Sequence, residues 1–144
     1  MSSAGVADKM VEQLNLKKHP FVMCNFAPPD MVGHTGVFEA AVKACEATDT
    51  AIGRVYEACK ANGYTLMVTA DHGNAEKMID PAGGKHTAHT CNRVPFTCSS
   101  DKFKFKKSLP DREMGLCDVA PTVLYIMGLP IPPEMGGCSL VEEA

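Results

Sequence analysis

The chain has 144 residues, 45% hydrophobic and 22% charged, which fits one ordinary globular domain able to bury a core. That balance disfavours a disordered tail, a collagen-like fibre or a coiled coil, and a net charge of -3 argues against a generic nucleic-acid binder. No apolar run approaches the roughly 18 residues of a membrane span, and the first ten residues lack the apolar core and basic lead of a secretory signal. With no Trp and nine Met, methionine and alanine must fill much of the core. The seven cysteines are odd in number, scattered, and without a Cys-x-x-Cys pair. Reduced, buried thiols in a cytosolic compartment are therefore expected rather than a disulfide framework.

Taken in chain order, Ser2-Ser3 followed by Val6, Ala7, Met10, Val11 and Leu14 predicts a capped helix that His19-Pro20 breaks. The apolar run 21–26 reads as a strand buried on both faces, and Pro28-Pro29 opens a loop carrying Asp30 to Gly36. A long helix follows from Val37 to about Asn62, with Phe38, Ala41, Val42, Cys45, Ile52, Val55, Tyr56 and Cys59 on its apolar stripe. Residues 64–70 form a second buried strand that runs into the polar stretch 71–74. Residues 94–99 give a third strand candidate, and the lysine-rich segment 102–107 an edge strand or loop. Asp118 caps a last helix running to Met127, with Pro121 tolerated in its first turn. Strand, long helix and strand with polar loops at the strand ends predict an α/β fold built on a mostly parallel sheet. In such sheets ligands bind beyond the carboxyl ends of the strands.

That is where the chain gathers its Asp and His residues. Asp30 and His34 stand four apart, Asp71-His72 follows the second strand, and His86 and His89 come shortly after. Imidazoles mixed with carboxylates suit transition metals such as Mn, Zn or Co. Singly, each piece has an ordinary reading: Asp71 in an Asx turn, or a histidine hydrogen-bonded at the surface. Jointly, clusters at strand ends favour a metal site.

These residues also carry a resemblance. ProAspMetValGlyHisThrGly (29–36), ThrAlaAspHisGlyAsnAlaGlu (69–76) and HisThrAlaHisThr with the following ValPro (86–95) resemble motifs of cofactor-independent phosphoglycerate mutases, members of the alkaline phosphatase superfamily. The resemblance continues through CysAspValAlaProThrValLeu (117–124) to the MetGlyGly segment near the end, and the form is similar to nematode members. It implies an alkaline-phosphatase-like α/β domain with helices on both faces of the sheet. It also implies that Asp30, His34 and His89 are ligands of one metal, and that Asp71 and His72 are part of a second site. His86 is expected outside the ligand set, and Arg93 is given no role. The family uses two Mn2+, or Mg2+ or Co2+ in some members, without 2,3-bisphosphoglycerate. A serine nucleophile takes the phosphate of 3-phosphoglycerate and returns it to give 2-phosphoglycerate, in glycolysis and gluconeogenesis.

Ligand counting then sets an expectation about this chain. Two divalent ions carry four positive charges, whereas Asp30 and Asp71 supply two negative ones. Ser2 and Ser3 sit at a helix start and read as capping residues, not nucleophiles. Three arginines, Arg54, Arg93 and Arg112, are too scattered to clamp a phosphorylated acid. Residues 1–144 are thus expected to be the C-terminal portion of the metal-binding phosphatase domain, without the nucleophile segment or the inserted phosphotransferase domain. The chain alone is expected to be inactive; the complete enzyme is expected to be a cytoplasmic monomer with no nucleic-acid or membrane partner. Two alternatives remain at this point. One is another mutase or phosphohydrolase of the same superfamily, such as a phosphopentomutase; the other is a non-catalytic domain that binds metal or a partner protein.

Overall fold

The structure, a computed structural model, describes residues 2–144. It divides into two compact units, one running to Cys98 and one from Ser99 to Ala144.

The first unit is organised by two helices. In α1 (Ser3–Leu16) the Ser2 hydroxyl accepts a hydrogen bond from the Gly5 amide at 3.3 Å, so the serine caps as expected. The helix ends at Leu16, before His19-Pro20, with Lys17 in the left-handed region at φ 52°. The long helix α3 (Phe38–Asn62) ends at Gly63, whose φ of 77° suits the residue without a Cβ. The two helices share a core of Ala7, Met10, Leu14, Ala51, Val55 and Cys59.

The buried stripe of α3 keeps Ala41, Val55 and Cys59 of the expected one but is shifted away from the rest. It runs through Ala41, Ala44, Thr48, Ala51, Val55 and Cys59, while Phe38, Val42, Cys45 and Tyr56 are exposed. Both stripes have helical spacing. The one with small side chains faces α1 because it lets the backbones approach closely, and Ser3 meets Thr48 there hydroxyl to hydroxyl at 3.4 Å. Only Cys59 is fully buried among the thiols, against an expectation of burial for all seven; Cys45, Cys91 and Cys117 are exposed, and none is disulfide-bonded. Desolvation in this core pushes the Cys24 and Cys59 thiols above their ordinary value.

Residues 21–26 are extended, with Val22, Cys24 and Phe26 packed on the helical core. Phe21 and Met23, on the alternate face, are 50% and 80% exposed, so the segment is buried on one face and not two. Between it and α3 lies a short helix, α2 (Pro28–Gly33), where a loop was expected. The prolines at its first positions have no amide to satisfy and start the turn rather than preventing it. Strand β1 (Met67–Thr69) pairs antiparallel with β2 (Phe96–Cys98), in register Met67 to Cys98. The α/β class holds, but no strand pair among the described residues is parallel, contrary to the expected parallel ladder. The order strand–helix–strand suggested one; instead β1 finds its ladder partner in β2, because residues 70–95 turn the chain back on itself. Those residues form the loop that carries Asp71, His72 and His89.

In the second unit β3 (Phe103–Phe105) pairs antiparallel with β4 (Val141–Glu143), so the lysine-rich segment is half of a two-stranded ribbon. A short 3-10 turn (Leu116–Asp118) leads into α4 (Val119–Ile126). Asp118 stands at the N-cap, but its side chain does not cap the helix. It is completely buried and accepts hydrogen bonds from both terminal nitrogens of Arg112 and from the amides of Gly115 and Cys138.

Candidate metal centre

Three side chains of the first unit converge on one point. The short helix α2 presents Asp30 from its first turn and His34 from its C-terminal boundary, and a spacing of four puts both on the same side. His89 arrives from the loop ahead of β2. His34 Nε2 lies 3.3 Å from Asp30 Oδ1 and 3.1 Å from His89 Nε2, and His89 Nε2 lies 3.1 Å from Asp30 Oδ1. All three groups are partly exposed, so an ion has access.

The arrangement fits a cation on chemical grounds. His34 Nδ1 is 2.7 Å from the Thr87 carbonyl oxygen, which can only accept, so Nδ1 carries the proton and donates. In the neutral ring Nε2 then points a bare lone pair at a carboxylate oxygen, and two acceptors 3.3 Å apart repel unless a positive charge lies between them. Separations of 3.1 to 3.3 Å let the three atoms share one transition-metal ion, were it bound there. Burial raises the Asp30 carboxyl, but the hydrogen bond from Asn74 and the imidazoles of His34, His89 and His72 outweigh it and hold the group below its ordinary value.

His72 adjoins this triad without joining it. Its ring stacks on that of His89 at 3.7 Å, its Nδ1 is 3.9 Å from Asp30 Oδ1, and its Nε2 is 3.6 Å from Asp71 Oδ2. The buried Nδ1 has no hydrogen-bond partner, a donor or ligand atom left over beside the triad. Asp71 is 87% exposed and lies outside the group of three converging residues, turned toward His72 instead. His72 and Asp71 offer two ligands, which alone is too few to enclose an ion. His86 lies outside the triad and is half-buried; its amide donates to the Met78 carbonyl at 2.9 Å.

Residues that hold the triad were not singled out from sequence, although they lie inside the quoted motifs. Asn74 donates to Asp30 Oδ1 at 2.7 Å and reaches the Asp30 carbonyl oxygen at 3.2 Å. Glu76 accepts from the Asn74 amide at 2.6 Å, from Asn92 at 2.9 Å and from the Thr90 hydroxyl. Those hydrogen bonds, the one from Thr90 foremost, hold the Glu76 carboxyl below its ordinary value against a smaller effect of burial. The Thr90 amide donates to the Gly73 carbonyl at 2.8 Å, which ties the 71–76 loop to the segment bearing His89. A Cβ at Gly73 would collide with Thr90 and Glu76, so that close approach explains the glycine. The only sequence signal for this frame was its proximity to the Asp and His residues; Asn and Thr give no ligand pattern of their own.

A model of the Metalloenzyme superfamily matches residues 1–131, and the chain belongs to that superfamily. Within it, the sequence is similar to named mutases. It is 78% identical over 144 residues to the 2,3-bisphosphoglycerate-independent phosphoglycerate mutase of Brugia malayi and 72% identical over 143 residues to that of Caenorhabditis elegans. The chain is covered at 100% and 99% in these matches, but it spans only 28% and 26% of the relatives' lengths. Among solved structures, a Leishmania mexicana phosphoglycerate mutase determined at low cobalt concentration superposes with a TM-score of 0.88 at 28% identity. That match covers 99% of this chain and 28% of the other. The alkaline-phosphatase-like α/β expectation agrees with this neighbour, and the resemblance to nematode mutases agrees with the two relatives. Among the described residues no helix is long and apolar enough to cross a membrane.

Proposed function

We propose that this chain is the metal-holding, C-terminal portion of a phosphoglycerate mutase that interconverts 3-phosphoglycerate and 2-phosphoglycerate through a phosphoserine. The observation that carries this reading is the convergence of Asp30 Oδ1, His34 Nε2 and His89 Nε2 within 3.1 to 3.3 Å of one another. The high identity to curated mutases supports the substrate class and favours it over a pentose-phosphate mutase or a phosphohydrolase. Asp30, His34 and His89 would hold one divalent ion, and Asp71 and His72 would give part of the shell of a second. Two Mn2+ are proposed, with Co2+ or Mg2+ able to substitute; the Leishmania mexicana mutase structure determined at low cobalt concentration is consistent with such a site. A divalent ion supplies charge that lowers the pKa of a serine hydroxyl and stabilises the transferring phosphoryl group.

The chain's own residues prepare that chemistry. The Thr87 carbonyl fixes the His34 tautomer and leaves Nε2 free to ligate, while the His72 ring supports the face of His89. The serine, and the cationic groups that would bind the substrate carboxylate and phosphate, are proposed to come from sequence outside these 144 residues. Neither Ser2, at a helix cap, nor Ser3, buried against α3, is placed for the role. The complete enzyme is proposed to act as a monomer in cytoplasmic glycolysis.

Titrating Mn2+ into the chain should reveal one tight site, and His34→Ala or His89→Ala should weaken it at least tenfold. Equal affinity in all three proteins would remove the ligand set. With Mn2+ and 3-phosphoglycerate the chain should show no turnover; robust 2-phosphoglycerate formation would overturn the proposal that the nucleophile lies elsewhere.

A further inference from the structure

We propose that Asn74 is the positioning residue of the centre, which acts through Asp30 by making it present one fixed oxygen, Oδ1. The inference rests on the metal-centre reading above and deepens it.

Asn74 is 5% exposed, and its amide nitrogen grips Asp30 twice, at the side-chain Oδ1 and at the backbone carbonyl. That same carbonyl accepts from the His34 amide at 3.1 Å, so one side chain is fastened to the turn that carries two of the three proposed ligands. A carboxylate oxygen has two lone pairs. Asn74 occupies one on Oδ1, and the other is left toward His34 Nε2 and His89 Nε2. With the carboxylate pinned in this way, rotation that would offer both oxygens, or neither, breaks its hydrogen bond to the buried Asn74 amide.

Asn74 is itself pinned from behind. Its backbone N–H donates to Glu76, which also accepts from the hydroxyl of Thr90, the residue after His89. The frame therefore runs from Asp30 through Asn74 and Glu76 to the segment of the third ligand. On its other side Asn74 lies directly against Gly33 of α2: a Cβ there would collide with the Asn74 amide oxygen. Gly33 has no positive φ, so alanine suits its backbone and favours the helix. Gly33→Ala should nevertheless displace Asn74, an independent route to the same loss.

The test measures binding of Mn2+ to the full chain by the electron paramagnetic resonance of unbound ion, in wild type and in the Asn74→Ala, Gly33→Ala, Asp30→Ala and His34→Ala proteins. Circular dichroism without metal monitors the fold. Asn74→Ala and Gly33→Ala should each weaken binding about 10- to 100-fold. In an Asp30→Ala background Asn74→Ala should add far less than it costs in the wild type, only the share owed to the Asp30 backbone carbonyl, whereas in a His34→Ala background it should cost its full factor. A general structural role would add its full loss in both backgrounds, and that result overturns the proposal. Wild-type affinity in both Asn74→Ala and Gly33→Ala also overturns it, and leaves the metal centre standing if His34→Ala is weak. If His34→Ala binds as wild type does, the metal-centre reading fails and this proposal falls with it. Should Asn74→Ala fail to fold, Gly33→Ala and its double variant with Asp30→Ala decide the matter by the same comparison.

Discussion

Asp118 shows at the scale of one residue how a motif position can serve structure. It lies inside a stretch that resembles the mutase family, and from sequence it is a helix cap. In the structure it is a buried anion satisfied by the guanidinium of Arg112 and by two backbone amides. The Arg112 pairing chiefly, with the two amides, holds its carboxyl well below the usual range against the opposing effect of burial. Asp118→Ala should cost about 1–3 kcal/mol, because it leaves the part-buried amides of Gly115 and Cys138 without their acceptor, while the partly exposed Arg112 can turn to water; chemical denaturation measures the loss. The folded value lies below the unfolded one of about 3.9, so a proton favours the unfolded chain. The stabilisation is complete above that pH and is lost as pH falls toward the folded value. Asp118→Ala should therefore flatten the acid limb of the stability curve, and an equally steep fall below about pH 4 would discount the pair. Arg112, set aside as a weak clamp for a phosphorylated acid, finds its role here.

Among the elements, α3 buries a stripe shifted toward its small side chains from the one its sequence marks as apolar. Periodicity alone gives the helix and its length, but the choice of face belongs to its partner. Against Ala7, Met10 and Leu14 of α1, the alanines permit close approach, and the larger Phe38, Val42 and Tyr56 stay exposed. Leu14, 2% exposed, should cost about 2–5 kcal/mol on truncation to alanine. Phe38→Ser and Val42→Ser should each change stability by no more than about 0.5 kcal/mol. Thermal and urea unfolding of the three variants test this, and the reverse ranking would mean that the bulky stripe is the packed one. Helix α2 shows the complementary limit. Pro28-Pro29 read as the start of a loop, yet proline at the first helical positions starts the turn that brings Asp30 and His34 together.

For the whole molecule, all five proposed ligands lie in the unit that runs to Cys98. Mn2+ should therefore slow amide exchange around residues 28–36 and 71–92 and leave 99–144 unchanged. Hydrogen exchange with mass spectrometry checks this, and protection confined to the second unit would contradict the proposed site. The superfamily, the α/β class and the Asp and His residues that converge were legible in the chain because Asp, His and their spacing within ordered motifs are local features. The frame around them was not. Asn74, Glu76 and Thr90 are common polar residues, and nothing local says that an amide 44 positions away will close on Asp30. Strand direction was misread for the same reason: pairing is a contact between distant segments, and β1 took β2 as its antiparallel neighbour. The sequence by itself determined which residues carry groups of the kind that bind a cation and roughly where α1, α3 and α4 begin and end, since both depend on side-chain chemistry and short-range backbone preference. Only the tertiary structure decided which helix face is buried, which histidine nitrogen is bare and which oxygen of Asp30 is held, because each is set by groups far apart in the chain that meet only on folding.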